Sequence, residues 1–174
     1  MNYVKALLNK VSSYPYITSY TFRSICQHAL MFPNDTEYVL KMGNGLVPEL
    51  VNEGDKIYVV GECLDLFFTS VAPRINNPFI LVSGRSDLPT NERRVHQIPS
   101  NLIKWFATNN ITDDPRVQTI PLGIDNIHWR YEDNPQGNVE FFEEINKEDI
   151  EVDSDVLVSF QTHTNETERL KCLD

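Results

Sequence analysis

Pro78-Phe79-Ile80-Leu81-Val82 is an unbroken apolar run, closed by the polar stretch Ser83-Gly84-Arg85-Ser86-Asp87-Leu88-Pro89. A strand with one wet face alternates apolar and polar residues. A strand that is apolar throughout is covered on both faces, which points to a parallel sheet with helices on each side. The same reading extends to Lys56-Ile57-Tyr58-Val59-Val60, which ends at Gly61, to Val117–Ile120, closed by Pro121-Leu122-Gly123-Ile124, and to Asp155–Phe160. Between these runs the spacing turns helical. Leu64, Phe67, Phe68 and Val71 share one face of Cys63–Val71 before Pro73 stops it. Pro99–Thr108 is predicted as a helix with Leu102, Ile103 and Phe106 on its apolar side and Pro99 in its first turn, and Val139–Lys147 as another. Asn165 is placed to cap a last helix.

Upstream, helices are predicted over Asn2–Val11 and Tyr20–Leu30, with an extra strand at Glu37–Met42. The expected fold is therefore α/β: a Rossmann-like three-layer domain with a mainly parallel sheet over residues 53–174. Residues 1–52 form a helical or mixed segment packed on that same domain.

Composition narrows the function. The 174 residues are 41% hydrophobic and 23% charged, which suits one globular domain with a proper core and excludes a disordered tail or a collagen-like rod. No apolar run approaches the ~20 residues of a membrane helix, and Val4–Leu8 is too short and interrupted for a signal-peptide core. No membrane span and a cytoplasmic location are expected. Residues 1–131 balance 12 Lys and Arg against 12 Asp and Glu, so the net charge of −10 lies wholly in residues 132–174. An acidic chain with no basic stripe is not expected to bind nucleic acid, whose affinity rests on Lys and Arg displacing counterions. Glu140–Asp155 reads as a solvated helix face and linker, with a docking surface as the alternative.

In an open parallel sheet, ligands bind beyond the carboxyl ends of the strands. That rule selects Gly61-Glu62, Ser83–Pro89, Pro121–Trp129 and Gln161–Arg169, and places Arg85, Asp87, Asp125, Asn126, His128, His163, Asn165 and Arg169 on one rim. Ser83, Gly84, Thr162 and Thr164 are small and polar there, and suit an anionic or polyhydroxylated ligand. Asp87 has two readings: an Asx-turn before Leu88-Pro89, or a carboxylate acting as a base or hydroxyl acceptor. Gly123 reads as a turn residue needing positive φ, and Arg169 as a binding residue or a surface partner of Glu166 or Glu168.

Other chemistries find less footing. Cys26, Cys63 and Cys172 are odd in number and form no CxxC, so neither disulfides nor zinc are expected. His96, His128 and His163 lack metal-ligand spacing, and Asp153-Ser154-Asp155 precedes a predicted strand instead of following one, so no metal is expected. There is no GxSxG elbow, and Cys63 lies in an apolar pattern with no basic neighbour. Gly43-Asn44-Gly45 lacks the context of a phosphate loop.

The order of four segments resembles a known family. They are Asn77-Pro-Phe-Ile-Leu-Val-Ser-Gly-Arg-Ser-Asp-Leu-Pro89, Ile103-Lys-Trp-Phe-Ala-Thr-Asn109, Asp114-Pro-Arg-Val117, and Ile120-Pro-Leu-Gly-Ile-Asp-Asn126 with Trp129. Together with Val158-Ser-Phe-Gln-Thr-His-Thr-Asn-Glu-Thr-Glu-Arg169, they resemble exostosin-like glycosyltransferases and related proteins, including ones from large DNA viruses, over about residues 55–170. The resemblance implies the N-terminal half of a GT-B-like enzyme that moves a sugar from a nucleotide-sugar donor to a carbohydrate or glycoprotein acceptor. It implies no essential metal or further cofactor, and a second domain or partner chain that completes the cleft. It carries Ser83, Asp87, Asn109, Gly123, Asn126, Asn165 and Arg169 onto the cleft, with Asp87 as the general base. Arg85 and Thr162 join them as substrate-binding candidates from their place on the rim. The alternative is a non-catalytic α/β module that binds a carbohydrate or a protein.

Overall fold

The computed structural model describes residues 16–31, 46–124, 130–131, 134–135 and 139–148. Its centre is a five-stranded, all-parallel sheet flanked by helical segments, an α/β, Rossmann-like fold. The strands are β1 (His28–Leu30), β2 (Lys56–Val60), β3 (Phe79–Gly84), β4 (Leu102–Ala107) and β5 (Val117–Thr119), adjacent in that order. β2 and β3 are the apolar runs that the sequence marks out, and they lie in the middle, where both faces need cover.

Two expected helices are corrected. Residues 20–30 divide into a short helix, α1 (Ser19–Ser24), and β1. Thr18 starts α1 with a reciprocal cap: its Oγ1 accepts from Thr21 N while Thr18 N donates to Thr21 Oγ1. The chain then pairs His28, Ala29 and Leu30 with Ile57, Tyr58 and Val59. Residues 99–108 are not helical but contain β4. A register shift between Phe79 and Ile80 skips Ile103, so that Leu102 pairs with Phe79 and Lys104 with Ile80. The skipped residue interrupts the period of two, so Leu102 and Trp105 are both buried in the same core although three residues apart. That bulge gives a strand the apolar spacing of a helix.

Residues 61–74 form α2, helical throughout but uneven. It is tight at Gly61–Cys63 and Ala72–Arg74 and widened at Phe67–Val71. The wide turn lets the neighbouring Phe67 and Phe68 both point inward. α3 (Glu92–Val95) is capped by Asn91, whose Oδ1 accepts from Arg94 N. α2 and α3 cover one face of the sheet. There Leu64, Phe67, Phe68 and Val95 meet Ile57, Val59, Leu81 and Trp105. On the other face Phe22 and Cys26, from α1 and the turn after it, cover Ala29, Tyr58, Val60 and Val82.

A small antiparallel pair, β6 (Arg130–Tyr131) with β7 (Asn134–Pro135), and α4 (Val139–Ile145) follow. The chain divides into two compact units, Met1–Glu143 and Glu144–Asp174, with the sheet in the first. In the second, residues 144–148 end α4 with turns in which Lys147 N donates to Glu144 O and Glu148 N to Ile145 O. The elements expected at Asn2–Val11, Glu37–Met42, Asp155–Phe160 and after Asn165 lie outside the described residues. Among the described residues no helix is long and apolar enough to cross a membrane.

Candidate site at the carboxyl edge of the sheet

A doubly wound sheet reverses its strand order at one point and opens a crevice there. Here β1 to β5 run in sequence order with no reversal among the described strands. The carboxyl edge is therefore a rim built from successive loops, and the loops after β3 and β4 are its best-tied part.

These two loops are stitched together by main chain and side chain. Thr90 N donates to Asn109 O at 3.0 Å, Ile111 N to Thr90 O at 2.9 Å, and Asn109 Nδ2 to Ser86 O at 2.6 Å. Arg85 and Asn109, at the carboxyl ends of β3 and β4, both hold positive φ, 54° and 51°. Left-handed backbone costs an ordinary L-residue about 1–2 kcal/mol, less for Asn. Where a residue other than glycine holds this conformation, the surrounding structure over-determines it, and such positions cluster at functional sites.

Of the residues chosen from the sequence, Arg85, Asp87 and Asn109 lie on these two loops. Asp87 is exposed. The turn before Pro89 is made by serine, since Leu88 N donates to Ser86 Oγ at 3.1 Å. An Asx-turn is thus not what places Asp87. Ser83 is 2% exposed, and its Oγ accepts from Trp105 Nε1 at 2.8 Å. It serves the core beneath the rim. Gly123 sits apart from the β3 and β4 loops. It has φ 81°, Ile124 N donates to Ile17 O at 2.9 Å, and a Cβ at 123 would run into that carbonyl. It fastens the chain after β5 to the start of α1. Asn126, Thr162, Asn165 and Arg169 lie outside the described residues.

The sequence reading missed Arg94, which anchors the rim from below. Its guanidinium is buried and donates to Pro89 O at 2.9 Å and Gly61 O at 3.3 Å. Asp65 faces its Nε at 3.6 Å, an ion pair longer than a hydrogen bond. Gly61 in turn packs so closely on Ser86 that any side chain there would displace the loop. Within Glu92-Arg93-Arg94-Val95 nothing in the sequence separates the buried arginine from the exposed one.

Also unannounced is Tyr58. It is 1% exposed, yet its hydroxyl has no hydrogen-bond partner among the described residues. Burial pushes that hydroxyl well above the ordinary tyrosine range, with the Arg85 charge the largest opposing influence. The two described thiols are poorly disposed to act as nucleophiles: burial pushes Cys26 up to about 11 and raises Cys63 too. Among the described residues no group of three or more His, Cys, Asp or Glu could hold a metal ion.

Compared with known proteins, the chain matches no family model, no curated protein and no solved structure.

Proposed function

We propose that this domain is a glycosyltransferase, or the acceptor-side domain of one, that takes a sugar from a nucleotide-sugar donor to a carbohydrate or glycoprotein acceptor in the cytoplasm. The observation that carries this reading is the grouping of exposed Asp87 with Arg85 and Asn109 on the tied loops after β3 and β4, with the two flanking residues in left-handed conformation. A carboxylate, a cation and an amide on two loops tied together are groups that recognise hydroxyl-rich ligands. The ordered segments that resemble exostosin-like glycosyltransferases support the same assignment.

In this mechanism Asp87 takes the proton of an acceptor hydroxyl as that oxygen bonds to the anomeric carbon of the donor. The bond from that carbon to the phosphate oxygen breaks, and the nucleoside diphosphate leaves with the electron pair. Arg85 and Asn109 hold the sugar hydroxyls so that attack and departure are aligned. A second domain or partner chain closes the cleft over the donor.

Ligand-observed NMR against nucleotide sugars and short glycans, with and without manganese, tests the reading. Binding that is lost in Asp87→Ala and Arg85→Ala supports it. Binding of glycans with no transfer in a complete reaction would favour a carbohydrate-binding module, and no binding of any sugar would overturn both.

A further inference from the structure

After β3 the chain leaves the sheet and soon returns to it. Ser83 pairs with Ala107, Thr108 N donates to Ser83 O at 3.1 Å, and Thr90 bridges Asn110 in parallel. Residues 84–89 therefore stand opposite residues 108–109 alone, and the longer side bulges outward as a loop whose ends are held close together.

Ser86 fixes the middle of this loop through three groups. Its Oγ accepts from Leu88 N at 3.1 Å, and its carbonyl accepts from Asn109 Nδ2 at 2.6 Å. Its Cβ and Oγ lie against Gly61, where an added Cβ would collide with both. Arg94 holds the far end by donating to Pro89 O at 2.9 Å. Asp87 is thus the centre of a serine turn with both ends fixed.

The identity of the turn-forming side chain has a chemical consequence. A side chain that closes such a turn accepts from the N–H two residues on. For position 87 that residue is Pro89, which has no N–H. The N–H available is that of Leu88, and the side chain two residues before it is Ser86. With the serine closing the turn, the Asp87 carboxylate takes no hydrogen bond from a described residue, and its lone pairs remain for a ligand hydroxyl.

We propose that Ser86 is a positioning residue of the sugar site: its hydroxyl sets the turn that presents Asp87, and its carbonyl orients the Asn109 amide. The inference rests on the reading of Asp87 as the base and Asn109 as a sugar-holding amide, and adds the residue through which both are aligned.

The test compares the full chain with its Ser86→Ala, Ser86→Thr and Ser86→Asn variants. Three quantities are measured: the urea midpoint, amide hydrogen exchange by NMR, and affinity for methyl glycosides from the amide shifts of residues 85–90 and Asn109. Ser86→Ala keeps the carbonyl and loses one exposed hydrogen bond, so its urea midpoint should stay close to wild type. Leu88 N–H is expected to exchange about fivefold faster, the ordinary worth of one hydrogen bond, with glycoside affinity reduced about fivefold and the Asn109 side-chain amide unchanged. Threonine and asparagine both offer an oxygen to Leu88 N, and are expected to restore exchange and affinity to within twofold of wild type. Leu88 exchange that is unchanged in Ser86→Ala, affinity that is unchanged despite faster exchange, or failure of both replacements to restore affinity overturns the inference. Glycoside binding by the wild type would then leave the sugar reading standing. No binding of any methyl glycoside by the wild type overturns that reading and this inference with it, whatever the exchange rates.

Discussion

The two edges of the sheet are built on opposite plans. At the amino edge the turns before β2, β3 and β4 are locked by side chains that bond to backbone. Asn77 Nδ2 donates to Val51 O, and Asn101 Nδ2 to Ile75 O and Asn77 O. Asp55 accepts from Asn52 N at 2.9 Å and pairs with His28 Nε2 at 2.9 Å. At the carboxyl edge stand two left-handed residues that are not glycine, an exposed carboxylate and a buried hydroxyl without a partner among the described residues. One left-handed arginine and one unpaired buried hydroxyl together cost about 2–5 kcal/mol, a sizeable part of the ~5–15 kcal/mol that a domain has in total. Stability is concentrated at the amino edge and strain at the carboxyl edge, where parallel sheets place their ligands.

The carboxyl edge is strained but anchored, and cutting the anchor should have the largest effect. Arg94→Ala removes charged hydrogen bonds to Pro89 O and Gly61 O and leaves both carbonyls and Asp65 without the guanidinium. A loss of about 2–4 kcal/mol in urea unfolding is expected, together with loss of the sugar binding proposed for the rim as the 85–90 loop comes free. Unchanged stability would mean that the loop is held by its bonds to Asn109 alone.

Ser83→Ala sharpens the line between rim and core. It leaves Trp105 Nε1, which is fully buried, with no acceptor, and is expected to cost about 1–3 kcal/mol by denaturant melting. Ligand affinity should stay within twofold. A ligand defect larger than the stability defect would return Ser83 to the cleft.

At the amino edge, Asp55→Ala should cost about 1–2 kcal/mol at pH 7 and change the response to acid. The backbone N–H of Asn52 first, and then His28, hold the Asp55 carboxyl below its usual range, and the Arg116 guanidinium holds Asp114 at about 2. Carboxyls depressed in the folded state stabilise it fully above the ordinary value of about 4 and lose that contribution as pH falls through their folded values. The urea midpoint of the wild type should therefore drop between about pH 4 and pH 2. Asp55→Ala should start lower and fall less steeply, and parallel curves would show that Asp55 is not among the groups responsible.

The difference between the edges also decides what could be read beforehand. β2 and β3 are visible because interior strands must be apolar on both faces, and that requirement is local, whereas β5 shows as a short run closed by Pro121-Leu122-Gly123. β4 was hidden by its bulge at Ile103, and β1 by its three-residue length. Arg85 and Asp87 follow from where β3 ends, and Asn109 from the family resemblance. The burial of Ser83 beneath the rim is not legible either, because its bond to Trp105 Nε1 exists only once β3 and β4 pair. Arg94 and Tyr58 were out of reach, since a guanidinium under two carbonyls and a hydroxyl beside a glycine on the next strand exist only once β2, β3 and α3 are assembled.

Asn109 tests the strain itself with the smallest effect, through the order of two substitutions. At most sites alanine is better tolerated than glycine, because glycine gives the unfolded chain more freedom, by about 0.5–1 kcal/mol. At φ 51° the order should invert. Both changes lose the exposed hydrogen bond to Ser86 O, but glycine accepts the left-handed backbone, whereas alanine adds about 1 kcal/mol of strain. Asn109→Gly is expected within about 0.5 kcal/mol of wild type, and Asn109→Ala about 1 kcal/mol below it, with sugar binding weakened in both because the amide is gone. Equal stabilities would mean that the loop relaxes to negative φ at no cost, and the contrast between a locked amino edge and a strained carboxyl edge would then rest on Arg85 and Tyr58 alone.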